Sequence, residues 1–189
     1  MSNKTKRVGV LGLQGAFRKH TEILNSLGVE TVDVRYKDQI DKCDGLIIPG
    51  GESTTMSKLI DEMDMRESLT NFPGMIFGTC AGAILLSDKC DDPRVQPLHR
   101  TPLRILRNAY GRQVDSFIEN IELKFTQTPF RAVFIRAPKL NHLDSGIEIL
   151  GRMNGDVVLV KSGNNLISTF HPELTDDPRI HQYFINCLQ

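Results

Sequence analysis

The sequence predicts a doubly wound α/β fold: three layers, with helices on both faces of a mostly parallel β-sheet. Three observations carry that expectation. The first half of the chain alternates apolar runs with amphipathic segments in the order strand, helix, strand, strand, helix, strand, helix. That is the grammar of parallel strands joined by right-handed crossovers. The apolar runs are continuous rather than alternating, as in strands buried on both faces. Glycine-rich turns follow the predicted strands, where a doubly wound sheet places its ligands.

Each element has a local reason. Val8 to Leu13 is an apolar run ended by Gln14-Gly15. Ala16 to Leu27 carries apolar residues at Phe17, Ile23, Leu24 and Leu27, an amphipathic helix stopped by Gly28. Glu30 to Tyr36 alternates like a strand, and Asp44 to Ile48 is another buried strand. Pro49-Gly50-Gly51-Glu52-Ser53 then turns the chain into a helix from about Thr54 to Met63, where Met56, Met63 and Met65 read as packing residues. Pro73-Gly74-Met75-Ile76 leads through Phe77-Gly78-Thr79 to a sharp turn at Cys80 and a helix through Ala83-Ile84-Leu85-Leu86. Beyond it Cys90 to Thr101, rich in aspartate, proline and arginine, reads as a loop. Leu103–Leu106, Phe117–Lys124 and Ala132–Arg136 are strand-like. Asp156–Lys161 and Leu166–Phe170 flank Ser162-Gly163-Asn164-Asn165, a C-terminal β-hairpin signal. A helix from Asp176 to Leu188, begun by Asp176-Asp177-Pro178, closes the chain.

The 189 residues suit a single domain, 1–189, with a proper core. Lysine plus arginine equals aspartate plus glutamate at 23 each, so nothing in the charge points to nucleic acid or a membrane surface. There is no long apolar span and no signal-peptide pattern, and Cys43, Cys80, Cys90 and Cys187 show no metal or disulfide spacing. A reduced, cytoplasmic setting is the expectation. His20, His99, His142 and His181 match no ligand spacing and are expected in surface or capping roles, and Cys43, Cys90 and Cys187 as bystanders.

Chemistry concentrates at Gly78-Thr79-Cys80-Ala81-Gly82, the thiol form of a nucleophile elbow. A nucleophile on a strand-to-helix turn sits in a strained backbone that crowds its neighbours, hence the flanking glycines. The start of the following helix favours thiolate over thiol. Downstream, His171-Pro172-Glu173 offers an imidazole and a carboxylate two residues apart, on one side of an extended backbone. A histidine that deprotonates a thiol and later protonates a leaving amine needs such an orienting group. Gly50-Gly51 permits close approach of the backbone to a ligand. A phosphate cradle is disfavoured there, because Glu52 follows and no lysine-serine/threonine pair appears.

The elbow and Phe170-His171-Pro172-Glu173 together resemble the class I, triad-type glutamine amidotransferases. The likeness extends over nearly the whole chain. Leu11–Phe17, Pro49–Met56, Arg107-Asn108-Ala109-Tyr110-Gly111-Arg112-Gln113, Phe134–Pro138 and His171–Asp177 are similar to the family of glutaminase subunits of pyridoxal 5'-phosphate synthase. Val95–Pro102 departs from that family, which usually carries small residues and leucines before the arginine-rich block.

The resemblance implies a flavodoxin-like fold and a glutaminase. Cys80 would be the nucleophile, His171 the general base and acid, and Glu173 its orienting partner. The Gly51 and Ala81 amides would form the oxyanion hole. Gly51, Glu52, Ser53, Arg107, Ile135 and Arg136 would contact L-glutamine, a zwitterion for which Glu52 can take the α-ammonium and an arginine the α-carboxylate. It implies no metal and no cofactor, and the partner that accepts ammonia would be a lyase-type synthase subunit. Two other readings stay open: another hydrolase on this scaffold, such as a cysteine peptidase or γ-glutamyl hydrolase, and a non-catalytic redox sensor or chaperone with a reactive elbow cysteine.

Overall fold

The computed structural model describes residues 6–107, 109 and 116–188. The expectations for the first five residues, and for positions 108 and 110–115 of the arginine-rich block, lie outside the described residues. In chain order the elements are β1 (Arg7–Leu11), α1 (Phe17–Ser26), β2 (Glu30–Val34), β3 (Gly45–Ile48), α2 (Ser53–Glu62), α3 (Arg66–Thr70), β4 (Met75–Thr79) and α4 (Ala81–Leu86). Then follow β5 (Ser87–Cys90), β6 (Thr101–Leu106), β7 (Ser116–Leu123), β8 (Phe130–Ile135), β9 (Lys139–Leu143), β10 (Glu148–Met153), β11 (Asp156–Ser162), β12 (Asn165–Ser168) and α5 (Arg179–Asn186).

Among the described residues the main sheet runs β2-β1-β3-β4-β12-β11-β10-β7-β8. It is parallel from β2 through β12 and antiparallel from β12 through β8. The doubly wound part therefore occupies one half, and the predicted hairpin of β11 and β12 joins it to an antiparallel extension. Successive residues of the central strands enter opposite cores. Val10, Ile47, Phe77 and Leu166 pack with Leu24 of α1 and Phe184 of α5. Leu11, Ile48, Ile76 and Ile167 pack with Met56 and Ile60 of α2, Leu69 of α3 and Leu85 of α4. That alternation is the two-residue period of a strand covered on both faces.

Boundaries shift for local reasons. The strand expected through Tyr36 stops at Val34, because Gln39 Oε1 accepts from the amides of Arg35 (2.8 Å) and Tyr36 (2.9 Å). The last helix starts at Arg179 rather than Asp176. Asp177 Oδ1 takes the Arg179 amide at 3.1 Å, forming a turn ahead of it. Four short elements, α3, β5, β9 and β10, were not expected. β5, β6 and β9 form a separate three-stranded sheet, so the predicted loop is reduced to the connection between β5 and β6.

His20 and His181 are fully buried, not surface or capping residues. Both lie on the apolar face of a helix, His20 with Phe17 and Leu24, and His181 beside Ile180 and Phe184. That spacing was the signal available for their burial.

The elbow glycines are required by close approach. A Cβ on Gly82 would lie 1.9 Å from Ile48 O, and one on Gly78 would lie 2.6 Å from Gly82 O. Backbone atoms cannot swing aside as a side chain can. Gly82→Ala is therefore expected to cost about 1–3 kcal/mol or more by overpacking, read as a lower midpoint in urea unfolding. An unchanged midpoint would mean that α4 can back away from β3 freely.

Candidate active site

Cys80 joins β4 to α4 with φ 47° and ψ −100°. A residue other than glycine pays about 1–3 kcal/mol for a sparsely populated conformation of this kind. The surroundings enforce it. The Cys80 amide donates to Ser168 O at 2.9 Å, and the side chain is only 7% exposed. The thiol faces Ile135 O at 3.8 Å.

His171 follows β12, which lies beside β4. Its amide donates to Val133 O at 2.8 Å, tying it to β8. His171 Nδ1 and Glu173 Oε1 are 2.7 Å apart. The sequence suggested an extended backbone here. Instead Pro172–Leu174 form a 3₁₀ turn with proline at its start, and the turn brings the carboxylate under the ring. A carboxylate only accepts, so Nδ1 carries the proton and Nε2 is left for the thiol.

Burial disfavours charge on His171. The hydrogen bonds and negative charge of Cys80 and Glu173 outweigh it and raise the imidazole pKa to about 10. Burial likewise pushes Glu173 up, but His20 and His171 hold it below its ordinary range. The pair therefore favours imidazolium beside an acceptor sulfur.

A histidine raised above its ordinary value of about 6.5 stabilises the fold fully below that pH, and the contribution is lost as pH rises through the native value. The Tm advantage of the wild type over His171→Asn is thus expected to be largest near pH 6 and to shrink between about 6.5 and 10. An advantage that grew with pH would mean the native ring is neutral.

Cys80 and His171 open onto a cavity of about 350 Å³, at the small end of ligand pockets. Gly51, Glu52, Ser53, Arg107, Ile135 and Arg136 line the same cavity. Glu173 stands behind His171, and Ala81 begins α4, where the first helix amides have no partner within the helix. The structure thus places eight of the candidate residues on one cavity, with Glu173 and Ala81 next to it.

Glu52 differs from a lone anion waiting for an ammonium. It is the N-cap of α2 and accepts from the amides of Thr54 (3.1 Å) and Thr55 (2.7 Å). Burial works to raise its pKa, but the hydrogen bonds from Thr54 and Thr55 prevail and lower it to about 2. Arg107 lies 3.2 Å from the same carboxylate and also pairs with Asp92. Asp92, on the β5–β6 connection, was not anticipated. Hydrogen bonds from Arg94 first, then the charge of Arg107, hold it well below the usual carboxylate range.

Ser53 Oγ is buried without a hydrogen-bond partner among the described residues, in a residue that lines the cavity. Arg136 is exposed at the end of β8 with φ 43°. Ile84 and Gln14 complete the lining, and Gln14 Oε1 accepts the Glu52 amide at 2.9 Å. The sequence signal for Gln14 was position: like Gly50-Gly51, it follows a parallel strand.

Fold and site together have the form of a thiol-dependent amidotransferase of the doubly wound α/β class. The chain belongs to the SNO glutamine amidotransferase family, whose profile matches residues 10–189. The pyridoxal 5'-phosphate synthase subunit PdxT of Thermotoga petrophila is 49% identical over 187 residues, 97% of this chain and 100% of that one. The protein of the same name from Carboxydothermus hydrogenoformans is 44% identical, covering 95% and 96% of the two chains. A solved glutamine amidotransferase superimposes with a TM-score of 0.90 at 44% identity, covering 96% of this chain and 98% of that one. A chain of the PurLQS structure from Thermotoga maritima shares the fold at 16% identity and a TM-score of 0.68, covering 98% and 100%.

Proposed function

We propose that this chain, acting as one glutaminase domain over residues 1–189, hydrolyses L-glutamine to L-glutamate and ammonia. The ammonia passes to a lyase-type synthase subunit that makes pyridoxal 5'-phosphate. The observation that carries the reading is that Cys80 and His171 line one cavity with Ser53, Arg107 and Arg136, while Glu173 backs His171 from behind. The relatives' name and their full-length identity support the partner.

The chemistry follows from the geometry. The Cys80 sulfur attacks the side-chain amide carbon of glutamine, and the carbonyl oxygen becomes an oxyanion received by the Gly51 and Ala81 amides. His171 protonates the departing nitrogen, and the C–N bond breaks to leave a γ-glutamyl thioester. His171 then takes a proton from water, hydroxide adds to the thioester, and glutamate leaves with the thiolate restored. Glu173 orients His171 and stabilises its cation. No metal or cofactor enters these steps, and pyridoxal phosphate forms on the partner.

Arg136, with the Arg107–Glu52 pair, recognises the amino-acid end of the substrate. Ser53 Oγ supplies a further polar contact. Four free cysteines suit a reduced, cytoplasmic setting. No helix among the described residues is long and apolar enough to cross a membrane.

Glutamine labelled with ¹⁵N at the side-chain amide tests the reading. Supplied with the synthase partner and its other substrates, it is expected to release unlabelled glutamate and to place ¹⁵N in the product. Glutamate release without label transfer would remove the assigned partner. Turnover of peptides or polyglutamyl compounds in preference to glutamine would favour another hydrolase on this scaffold.

A further inference from the structure

Behind Glu173 lies a second pair of imidazoles that the reaction above leaves unused. His20 on α1 and His181 on α5 are both fully buried. Their rings meet through His20 Nδ1 and His181 Nε2, 2.9 Å apart. The other nitrogen of His20, Nε2, lies 3.4 Å from Glu173 Oε2 and 3.3 Å from Thr79 Oγ1. Glu173 thus stands between two imidazoles, with Oε1 on His171 and Oε2 toward His20. At 3.4 Å the second contact is longer than a formed hydrogen bond, and Glu173 Oε2 is a buried oxygen with no completed bond. Buried polar atoms in folded proteins almost always find a partner, and His20 Nε2 is the donor that faces this one.

The tautomers follow from the acceptors. A carboxylate accepts only, and the Thr79 hydroxyl beside the same nitrogen can accept as well, so the assignment that serves both is a proton on His20 Nε2. Its Nδ1 is then a lone pair that accepts from His181 Nε2–H, which leaves His181 Nδ1 without a proton. That atom has no hydrogen-bond partner among the described residues.

We infer that His20 is a positioning residue of the catalytic unit, its Nε2–H directed at Glu173 Oε2 and orienting it while His181 fixes the His20 tautomer. The titratable groups facing His20 are Glu173 and His181, with His171 beyond the carboxylate. Burial outweighs the attraction of Glu173 and lowers the pKa of His20; burial, then repulsion from His20, pushes His181 down to about 3. Both rings are neutral. A neutral donor fixes the carboxylate without cancelling the charge that His171 requires. Because His20 and His181 lie on helices packed to one face of the sheet, the orientation of Glu173 is set by the fold and not by its own loop alone.

The inference rests on the triad proposed above, so Glu173→Gln is measured beside the His20 variants. With glutamine and a saturating amount of the synthase partner, His20→Leu is expected to lower kcat roughly 10–100-fold at unchanged KM, the scale of a small misplacement of a catalytic group. His20→Gln, whose amide nitrogen can stand where Nε2 stands, is expected to recover most of the loss. ¹⁵N NMR of the wild-type imidazoles, which needs no variant to fold, is expected to show His20 protonated at Nε2. Wild-type kcat in His20→Leu with a damaged Glu173→Gln would overturn the positioning role and leave the triad standing. Equal losses in His20→Leu and His20→Gln, or a His20 protonated at Nδ1, would overturn it too. A fully active Glu173→Gln would overturn the triad reading itself, and this inference with it.

Discussion

Cys80→Ser is expected to abolish glutamine hydrolysis, with kcat falling on the order of 10⁴-fold or more, as when a nucleophile is removed from a catalytic unit. The loss is chemical rather than structural. Serine occupies nearly the same volume at the elbow, and the backbone bond from residue 80 to Ser168 O persists. A hydroxyl, however, is a far weaker acid and a poorer nucleophile than a thiol beside the same imidazole. The other thiols provide the control. Burial pushes the Cys43 thiol up to about 11 and moves Cys90 and Cys187 upward too, which makes all three weak nucleophiles at neutral pH. Serine replacements at those three positions are expected to retain most of the activity. An electrophilic glutamine analogue should label residue 80 alone, read by peptide mass spectrometry. Label on another cysteine, or an active Cys80→Ser, would remove the assigned nucleophile.

Binding of the synthase partner is expected to raise the glutaminase rate by about 10²–10³, the worth of one oxyanion donor. Ammonia released into neutral water becomes mostly ammonium, which is not nucleophilic, so hydrolysis without a docked acceptor is unproductive. The structure supplies a means of coupling. The turn after β1 grips the strand end that carries the proposed oxyanion donor: Ala16 N donates to Gly50 O at 3.1 Å, and Gln14 Oε1 accepts the Glu52 amide at 2.9 Å. The Gly50-Gly51 peptide between these two contacts can change conformation at low cost. Movement of the β1 turn by a docked partner would therefore re-aim the Gly51 amide. Gln14→Ala removes one contact, and a Cβ on Gly51 would lie 2.3 Å from Gln14 Oε1. Both variants are expected to lose most of the partner-stimulated increment, measured as steady-state glutamate release against added synthase. An isolated chain that already turns over at the docked rate would exclude this gate.

Part of this architecture is written locally along the chain. The period and continuity of the apolar runs fixed the parallel half of the sheet and the helices that cover it. The Ser162–Asn165 turn fixed the β11–β12 hairpin, since a tight turn with glycine and asparagine needs no distant contact. Gly78 and Gly82 around Cys80 marked a crowded elbow, and Gly82 does abut Ile48 O. Contacts between distant segments decided the rest. β12 inserts between β4 and β11, which sets His171 beside Cys80, and no residue near position 171 encodes that neighbour. β5, β9 and β10 are short: β9 pairs with the distant β6, and β10 joins the sheet through β7 as well as through its neighbour β11. Glu52 read as a holder of the α-ammonium, and its pairing with Arg107 was hidden because the two lie 55 residues apart. His20 and His181 read as surface or capping residues although both lie on the buried face of their helices; what neither helix shows is the group each ring meets. The carboxylate that gives those two imidazoles a purpose comes from a loop that neither helix specifies.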